Sequence, residues 1–289
     1  MRVLRGKTAL VTGAAAGLGR AIALRLAHEG TNLHLLDIDE PGLEKVLRDA
    51  RQLGVTARGA RCDLTRPEQV TSSVEAMLAE WGGLNILVNN AGVGFYGPTT
   101  KMTAEQWDWL LAINLRAPIQ LVHELLPALL ASDEAHIVNM ASICGIVAGG
   151  RFCAYHVSKF GMVGLSEALR AEFGRFGLGV SAICPGPVLT NLYKSSPCGH
   201  ADRETPCPPR LICTTAERVA TKTIRAIRRD KRLVLVSPLA YTLYYMKRVA
   251  PGFLDSLQRI GRRKKMKKRR AEFAAAASQS ASQPKRTAA

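Results

Sequence analysis

Between residues 8 and 236, short β-rich apolar runs alternate with longer amphipathic stretches, a rhythm that fits repeated βαβ units around a parallel sheet and few other architectures. The strand-like runs cover residues 8–12, 32–37, 57–63, 85–89, 136–140, 179–184 and 233–236, which predicts a doubly wound, mostly parallel, seven-stranded α/β sheet. Helix starts are marked by Thr65-Arg-Pro-Glu68, Thr103-Ala-Glu-Gln106 and Thr214-Thr-Ala-Glu217, each with a hydroxyl three residues before a group that can close a capping box.

The rhythm breaks twice. Residues 185–213 carry Pro185, Pro187, Pro197, Pro206, Pro208 and Pro209 without periodicity, and a loop this long inside a domain is usually functional. After residue 236 an aromatic and apolar segment, residues 239–257, leads into a basic run and an Ala/Ser/Gln tail expected to be disordered. The expected organisation is one catalytic domain at residues 1–238, with a substrate loop at about 185–214, and an extension at 239–289.

Charge narrows the partners. The formal net charge is +17, yet nine of the forty basic residues fall within residues 259–270, so the body of the chain is only moderately basic and nucleic acid is not the expected partner. Seven scattered cysteines read as reduced thiols in a cytoplasmic protein. The first strand begins so near the N-terminus that no removable leader is expected, and no apolar run reaches the roughly 20 residues of a membrane span.

The first predicted strand runs directly into Thr12-Gly-Ala-Ala-Ala-Gly-Leu-Gly19, so Gly13, Ala16, Gly17, Leu18 and Gly19 form a strand-to-helix turn. Glycines there let backbone approach a pyrophosphate, and the helix N-terminus offers unpaired N–H groups and a favourable dipole. An ordinary tight loop can share that composition, so the context matters. The second strand ends at Asp37, about 20 residues on, where a carboxylate can accept hydrogen bonds from an adenosine ribose and would repel a 2′-phosphate. No Arg or Lys occupies this strand end, which favours NAD over NADP.

With these residues the chain resembles the short-chain dehydrogenase/reductase family over roughly residues 6–236. The glycine spacing is that family's variant of the dinucleotide fingerprint, and Asn89-Asn90-Ala91-Gly92 matches its N-N-A-G element. Asp63, followed by Leu64, matches the acidic residue expected to meet the adenine. Asn114, Ser142, Tyr155 and Lys159 match its catalytic tetrad in order and spacing. Pro185-Gly186 matches the P-G step beside the nicotinamide, with Val188 close behind; Thr190 fits the carboxamide-binding threonine, or is a simple loop hydroxyl. The resemblance implies a Rossmann fold, hydride transfer at a CH–OH group, a dimer or tetramer, and an Asn114 that supports a proton relay through water.

The chemistry can be argued from the residues as well. Tyr155 and Lys159 lie four apart in the amphipathic stretch 152–173, so both face one side of a helix. A free phenol titrates near pH 10, and a neighbouring ammonium together with cationic nicotinamide favours the phenolate. Lowering the phenol by about 3 pH units would take roughly 4 kcal/mol. Ser142 would hold the substrate oxygen, and Lys159 would also grip the nicotinamide ribose.

Three features invite other readings. Cys198, His200, Cys207 and Cys213 fall close together but match no zinc spacing, and no metal site is expected. Cys144 and Cys153 are expected to flank the substrate pocket. The aromatic segment and basic run, residues 239–270, suit a cap over the domain, an anionic membrane surface, nuclear targeting or nonspecific nucleic-acid contact, or a solvated tail. The expected substrate is a lipophilic secondary alcohol or ketone, such as a steroid, retinoid or long-chain alcohol. The alternatives are reduction of acyl-thioester carbonyls, or a noncatalytic NAD-binding scaffold.

Overall fold

The inner strands of the sheet are buried on both faces, because their alternate side chains meet two helical layers, while the edge strand at residues 57–61 is largely exposed. In the computed structural model, which describes residues 1–190, 192–199, 204–253 and 256, the strands are β1 (Thr8–Thr12), β2 (Asn32–Asp37), β3 (Ala57–Arg61), β4 (Ile86–Asn89), β5 (Ala135–Met140), β6 (Leu178–Cys184) and β7 (Leu233–Leu235). They form one sheet in the order β3-β2-β1-β4-β5-β6-β7, with every neighbouring pair parallel.

Val11, Leu35, Val88, Val138 and Ile183 point to one face, against helices α1 (Gly17–His28), α2 (Glu40–Gln52) and α8 (Ala216–Arg228). Leu10, Leu36, Leu87, Ile137 and Val180 point to the other, against α3 (Pro67–Trp81), α5 (Ala117–Leu130) and the end of α6 (Cys153–Phe173). Each fully buried aliphatic side chain contributes about 2 kcal/mol, and a one-residue slip of any strand would exchange the two faces. The order of strands reverses between β1 and β4, and in open parallel sheets that switch point places a crevice beyond the strands' C-terminal ends.

Two of the three expected capping boxes differ. Thr103 closes one with Gln106 at the start of α4 (Ala104–Leu111). Thr65 instead donates from its N–H and hydroxyl to Asp63 Oδ1, at 2.9 and 2.7 Å, and α3 starts at Pro67 without a side-chain cap. A carboxylate outcompetes a helix amide as a partner, and proline is preorganised for a first helical position. Before α8 the cap is Thr215, because Thr214 is drawn into a bridge with Val188. The third strand ends at Arg61, two residues before the expected 63, as an edge strand whose neighbour ends at Asp37.

The stretch after β6 is a loop interrupted by the short helix α7 (Leu192–Ser195) and a 3₁₀ turn at Arg210–Ile212. The chain divides into two compact units, Met1–Tyr244 and Tyr245–Ala289. A last helix, α9, runs over Pro238–Val249, and in the first unit its Ala240 is buried beside Leu243 and Tyr244. Of the second unit, residues 245–253 and 256 are described. The basic run 259–270 and the tail lie outside the described residues. Among the described residues no helix is long and apolar enough to cross a membrane.

Candidate active site

A cavity of about 820 Å³ opens at the switch point. Gly13 and Gly17, at φ of 65° and 54°, take left-handed backbone that glycine adopts at no steric cost, and the N-terminus of α1 joins the wall through Gly17 and Leu18. A Cβ on Gly13 would sit 2.8 Å from Ala91 Cα. That close approach is stapled. Asn90 Nδ2 donates to the Thr12 and Gly13 carbonyls, at 2.9 and 3.2 Å, while Thr12 Oγ1 accepts from the Asn90 and Ala91 N–H groups. Ala16, Asn90, Ala91 and Gly92 also line the cavity, whereas Gly19 does not. A Cβ on Gly19 would meet the Gly13 carbonyl oxygen, so its part is to pack α1 onto the turn.

Asp37 and Asp63, with Leu64, line the same end. The Asp37 carboxylate is fixed by N–H donation from Ala15 (2.8 Å) and Asp39 (3.0 Å). Its strand register sets Arg61 beside it, a cation the strand-end reading leaves out, although Arg61 is not part of the wall. Burial pushes the Asp63 carboxyl up, but the two hydrogen bonds from Thr65, with Arg66 and Arg61 nearby, together outweigh it and hold the carboxyl below its usual range.

The other end is built by α6, the end of β5 and a π-helical segment, Ala112–Arg116, between α4 and α5. Ser142, Tyr155 and Lys159 line the cavity together. Lys159, 4% exposed, donates to the Met140 carbonyl at 2.8 Å and lies 5.5 Å from the centroid of the Tyr155 ring. Burial pulls its pKa down to about 8. Burial also dominates at Tyr155 and pushes the phenol well above its ordinary range, with a hydrogen bond to Ser142 pulling weakly the other way. In the protein alone the phenol is therefore a proton donor at neutral pH. The lowering expected from the ammonium together with a bound cationic nicotinamide has this desolvation cost to overcome.

Asn114 does not line the cavity. The π turn directs it at the backbone of Val93, which donates to Oδ1 (2.8 Å) and accepts from Nδ2 (2.9 Å), and Nδ2 also donates to Ser158 Oγ. Both amide hydrogens are engaged, so its side chain ties the segment after β4 to α6. A second buried chain, Asn89 to Asn139 to Ser166, joins β4, β5 and α6. Isolated polar residues in strands gave no sequence signal of this, because the partners are 27 and 50 positions apart.

Pro185, Gly186, Val188 and Thr190 line the cavity between the two ends. Beyond them the wall contains residues the sequence did not single out, including Val93, Tyr96, Phe152 and Tyr193. Aromatic residues in loops carry no spacing rule that could have found them. Cys144 lines the cavity and Cys153 does not. In the loop Cys207 is on the wall and Cys213 donates to the Pro209 carbonyl, while His200 lies outside the described residues.

Residues 7–199 match the sequence profile of the short chain dehydrogenases. The chain belongs to that family. Among its relatives, the D-threitol dehydrogenase of Mycolicibacterium smegmatis is 41% identical over 192 residues, covering 65% of this chain and 73% of the relative. A Burkholderia phymatum short chain dehydrogenase/reductase, solved in complex with NAD, superposes with a TM-score of 0.77 at 30% identity, covering 88% of this chain and 97% of that one. A Sphingobium yanoikuyae short-chain dehydrogenase, in complex with NADPH, gives 0.72 at 25% identity and covers 98% of each chain.

Proposed function

We propose that the chain is an NAD-dependent oxidoreductase that interconverts a lipophilic secondary alcohol and its ketone, with Tyr155 as general acid and base. One observation carries this reading: a single cavity has the glycine turn and Asp37 at one end and Ser142, Tyr155 and Lys159 at the other.

The residues present fit a nicotinamide dinucleotide. The turn at Gly13 and Gly17 leaves backbone without side chains at the N-terminus of α1, where a pyrophosphate is favoured. Asp37, held by two backbone donors, still offers lone pairs to ribose hydroxyls and repels a phosphate, which supports NAD. Asp63 and Leu64 would flank the adenine, Lys159 the nicotinamide ribose, and Val188 and Thr190 the carboxamide. When bound, oxidised nicotinamide supplies the hydride acceptor and a positive charge near the phenol.

In reduction Tyr155 gives its proton to the substrate oxygen. In oxidation Tyr155 would act as the phenolate, favoured by the Lys159 ammonium and a cationic nicotinamide, and would take the hydroxyl proton as the carbinol hydrogen leaves as hydride for the acceptor that the nucleotide would supply. Ser142 holds that oxygen, and Lys159 keeps a cation beside the phenol below pH about 8.

The apolar substrate class is supported by the wall itself, where Val93, Tyr96, Phe152, Leu192 and Tyr193 surround the reacting end. Among the described lining residues the charged ones are Asp37, Asp63 and Lys159, so nothing charged is left over for an acyl carrier's phosphate. The aromatic segment after β7 takes no part in this wall: Leu239, Tyr241, Leu243 and Tyr244 do not line the cavity.

Turnover of a panel of secondary alcohols with NAD tests the reading. Tyr155→Phe is expected to lower kcat by about 1000-fold with nucleotide binding intact, and equal rates would refute it.

A second proposal concerns the extension. Tyr245, Val249 and Phe253 are exposed at four-residue spacing in the second unit and precede the basic run in sequence, a combination that suits an anionic lipid surface. Flotation with phosphatidylserine vesicles should be lost on truncation before Arg259, and unchanged flotation would dismiss the idea. Exposed Ile119, Val157 and Phe160 on α5 and α6 support self-association, which size-exclusion chromatography would show.

A further inference from the structure

We propose that His156, which stands next to Tyr155 on α6 but points away from the cavity, is the positioning residue for Ser142. The inference rests on the enzymatic reading above and concerns how that site is held in shape.

His156 is 8% exposed and does not line the cavity. Its Nε2 accepts the N–H of Gly149 at 2.9 Å. A backbone amide can only donate, so Nε2 carries no proton, and the ring proton is on Nδ1. Nδ1 faces the carbonyl oxygen of Cys144 at 2.8 Å and donates to it. One tautomer therefore satisfies both contacts, and the imidazole clasps the segment after β5 at its beginning and its end.

The consequence reaches the serine through one peptide group on each side of Cys144. Its carbonyl is held by His156, and its N–H donates to Ser142 Oγ at 3.1 Å. That bond takes one lone pair of the hydroxyl and leaves the O–H and the other lone pair for Tyr155 and the substrate oxygen. The 3₁₀ turn Ile143–Gly145 is otherwise tied down by the Ile143 N–H on the Pro185 carbonyl, and Gly145 presses against α6 so closely that a Cβ would collide with the Lys159 carbonyl. The sequence puts the clasp and the acid on neighbouring residues of one rigid helix, so Ser142 is referenced to the same element that carries Tyr155 and Lys159. Misplacing a group that orients substrate by a fraction of an ångström costs rate more than affinity.

The test uses the full chain with NAD and whichever alcohol of the panel turns over fastest, and adds a readout independent of turnover. That readout is the labelling rate of Cys144 by N-ethylmaleimide, resolved from the other thiols by peptide mass spectrometry. For His156→Ala, kcat should fall about tenfold or more while the KM for NAD stays within about twofold, and Cys144 should label several times faster. His156→Asn places an amide N–H where Nδ1 stands and should recover most of both effects. His156→Gln, which keeps only reach toward Gly149, should recover neither. Unchanged kcat and labelling in the alanine variant, or an asparagine variant no better than alanine, would overturn the proposal. If no alcohol is turned over even by the wild type, the enzymatic reading fails, and the labelling series alone still decides whether His156 holds the Cys144 peptide.

Discussion

The two ends of the cavity are made in different ways. At the nucleotide end the wall is backbone: glycines at positive φ, the N-terminus of α1, the Thr12 and Gly13 carbonyls stapled by Asn90, and the Asn90 and Ala91 amides held by the Thr12 hydroxyl. At the substrate end much of the wall is side chain, supplied by α6 and by loop segments that pair with one another through the Tyr96–Cys198 and Val188–Thr214 bridges. A ligand with an invariant phosphate needs fixed amides at fixed places, whereas a wall of side chains can be respecified one residue at a time. Changes at the first end should therefore show in stability, and changes at the second in substrate preference.

The sharpest way to break that contrast is Gly19→Ala. The new Cβ would lie within 2 Å of a carbonyl, 1.9 Å from Gly13 O, so a loss of about 3 kcal/mol in denaturant unfolding and of NAD binding is expected. A variant of near-native stability would show that the turn yields as readily as a loop.

Acid should also act on the sheet rather than on the loops. His136 is buried on β5 beside Ser181, and burial holds its pKa down at about 3 against 6.5 for free imidazole. Between those values the unfolded chain binds a proton that the native protein refuses, so stability is lost as pH falls below 6.5. The expected loss is on the order of 3 kcal/mol by about pH 4.5, and His136→Gln should flatten that limb of a pH series of unfolding curves.

Smaller effects should separate specificity from stability. Asp37→Ser is expected to raise the NADP to NAD ratio of kcat/KM about tenfold, measured with both nucleotides. Tyr193→Ala should shift the melting free energy by no more than about 0.5 kcal/mol while raising the KM of an apolar alcohol several-fold. A large loss of stability there would mean that α7 belongs to the core and the contrast is drawn in the wrong place.

The same contrast separates what was readable in the sequence. Short β-rich apolar runs made the seven strands legible, within one or two residues at each end, and glycine spacing did the same for the turn at Gly13 and Gly17. That Ser142, Tyr155 and Lys159 share one cavity was foreshadowed by order and spacing along the chain, since two of them lie one turn apart on one helix. Asn114 was found as a position, but its bonds to Val93 and Ser158 depend on a π turn that no spacing announces. Thr65 and Thr214 misled because a nearby carboxylate and a strand bridge competed for the groups that a capping box would have used.

Local chemistry along the chain, then, determined the parallel sheet, the glycine turn and the one-turn spacing of Tyr155 and Lys159, since backbone dihedrals, apolar runs and one helical turn are short-range properties. Only the tertiary structure decided the protonation of Tyr155, the cation at Lys159, the apolar wall and the clasp of His156 on Cys144. Those depend on how much water is excluded and on which groups distant segments bring into contact, and neither quantity is written in any local stretch of residues.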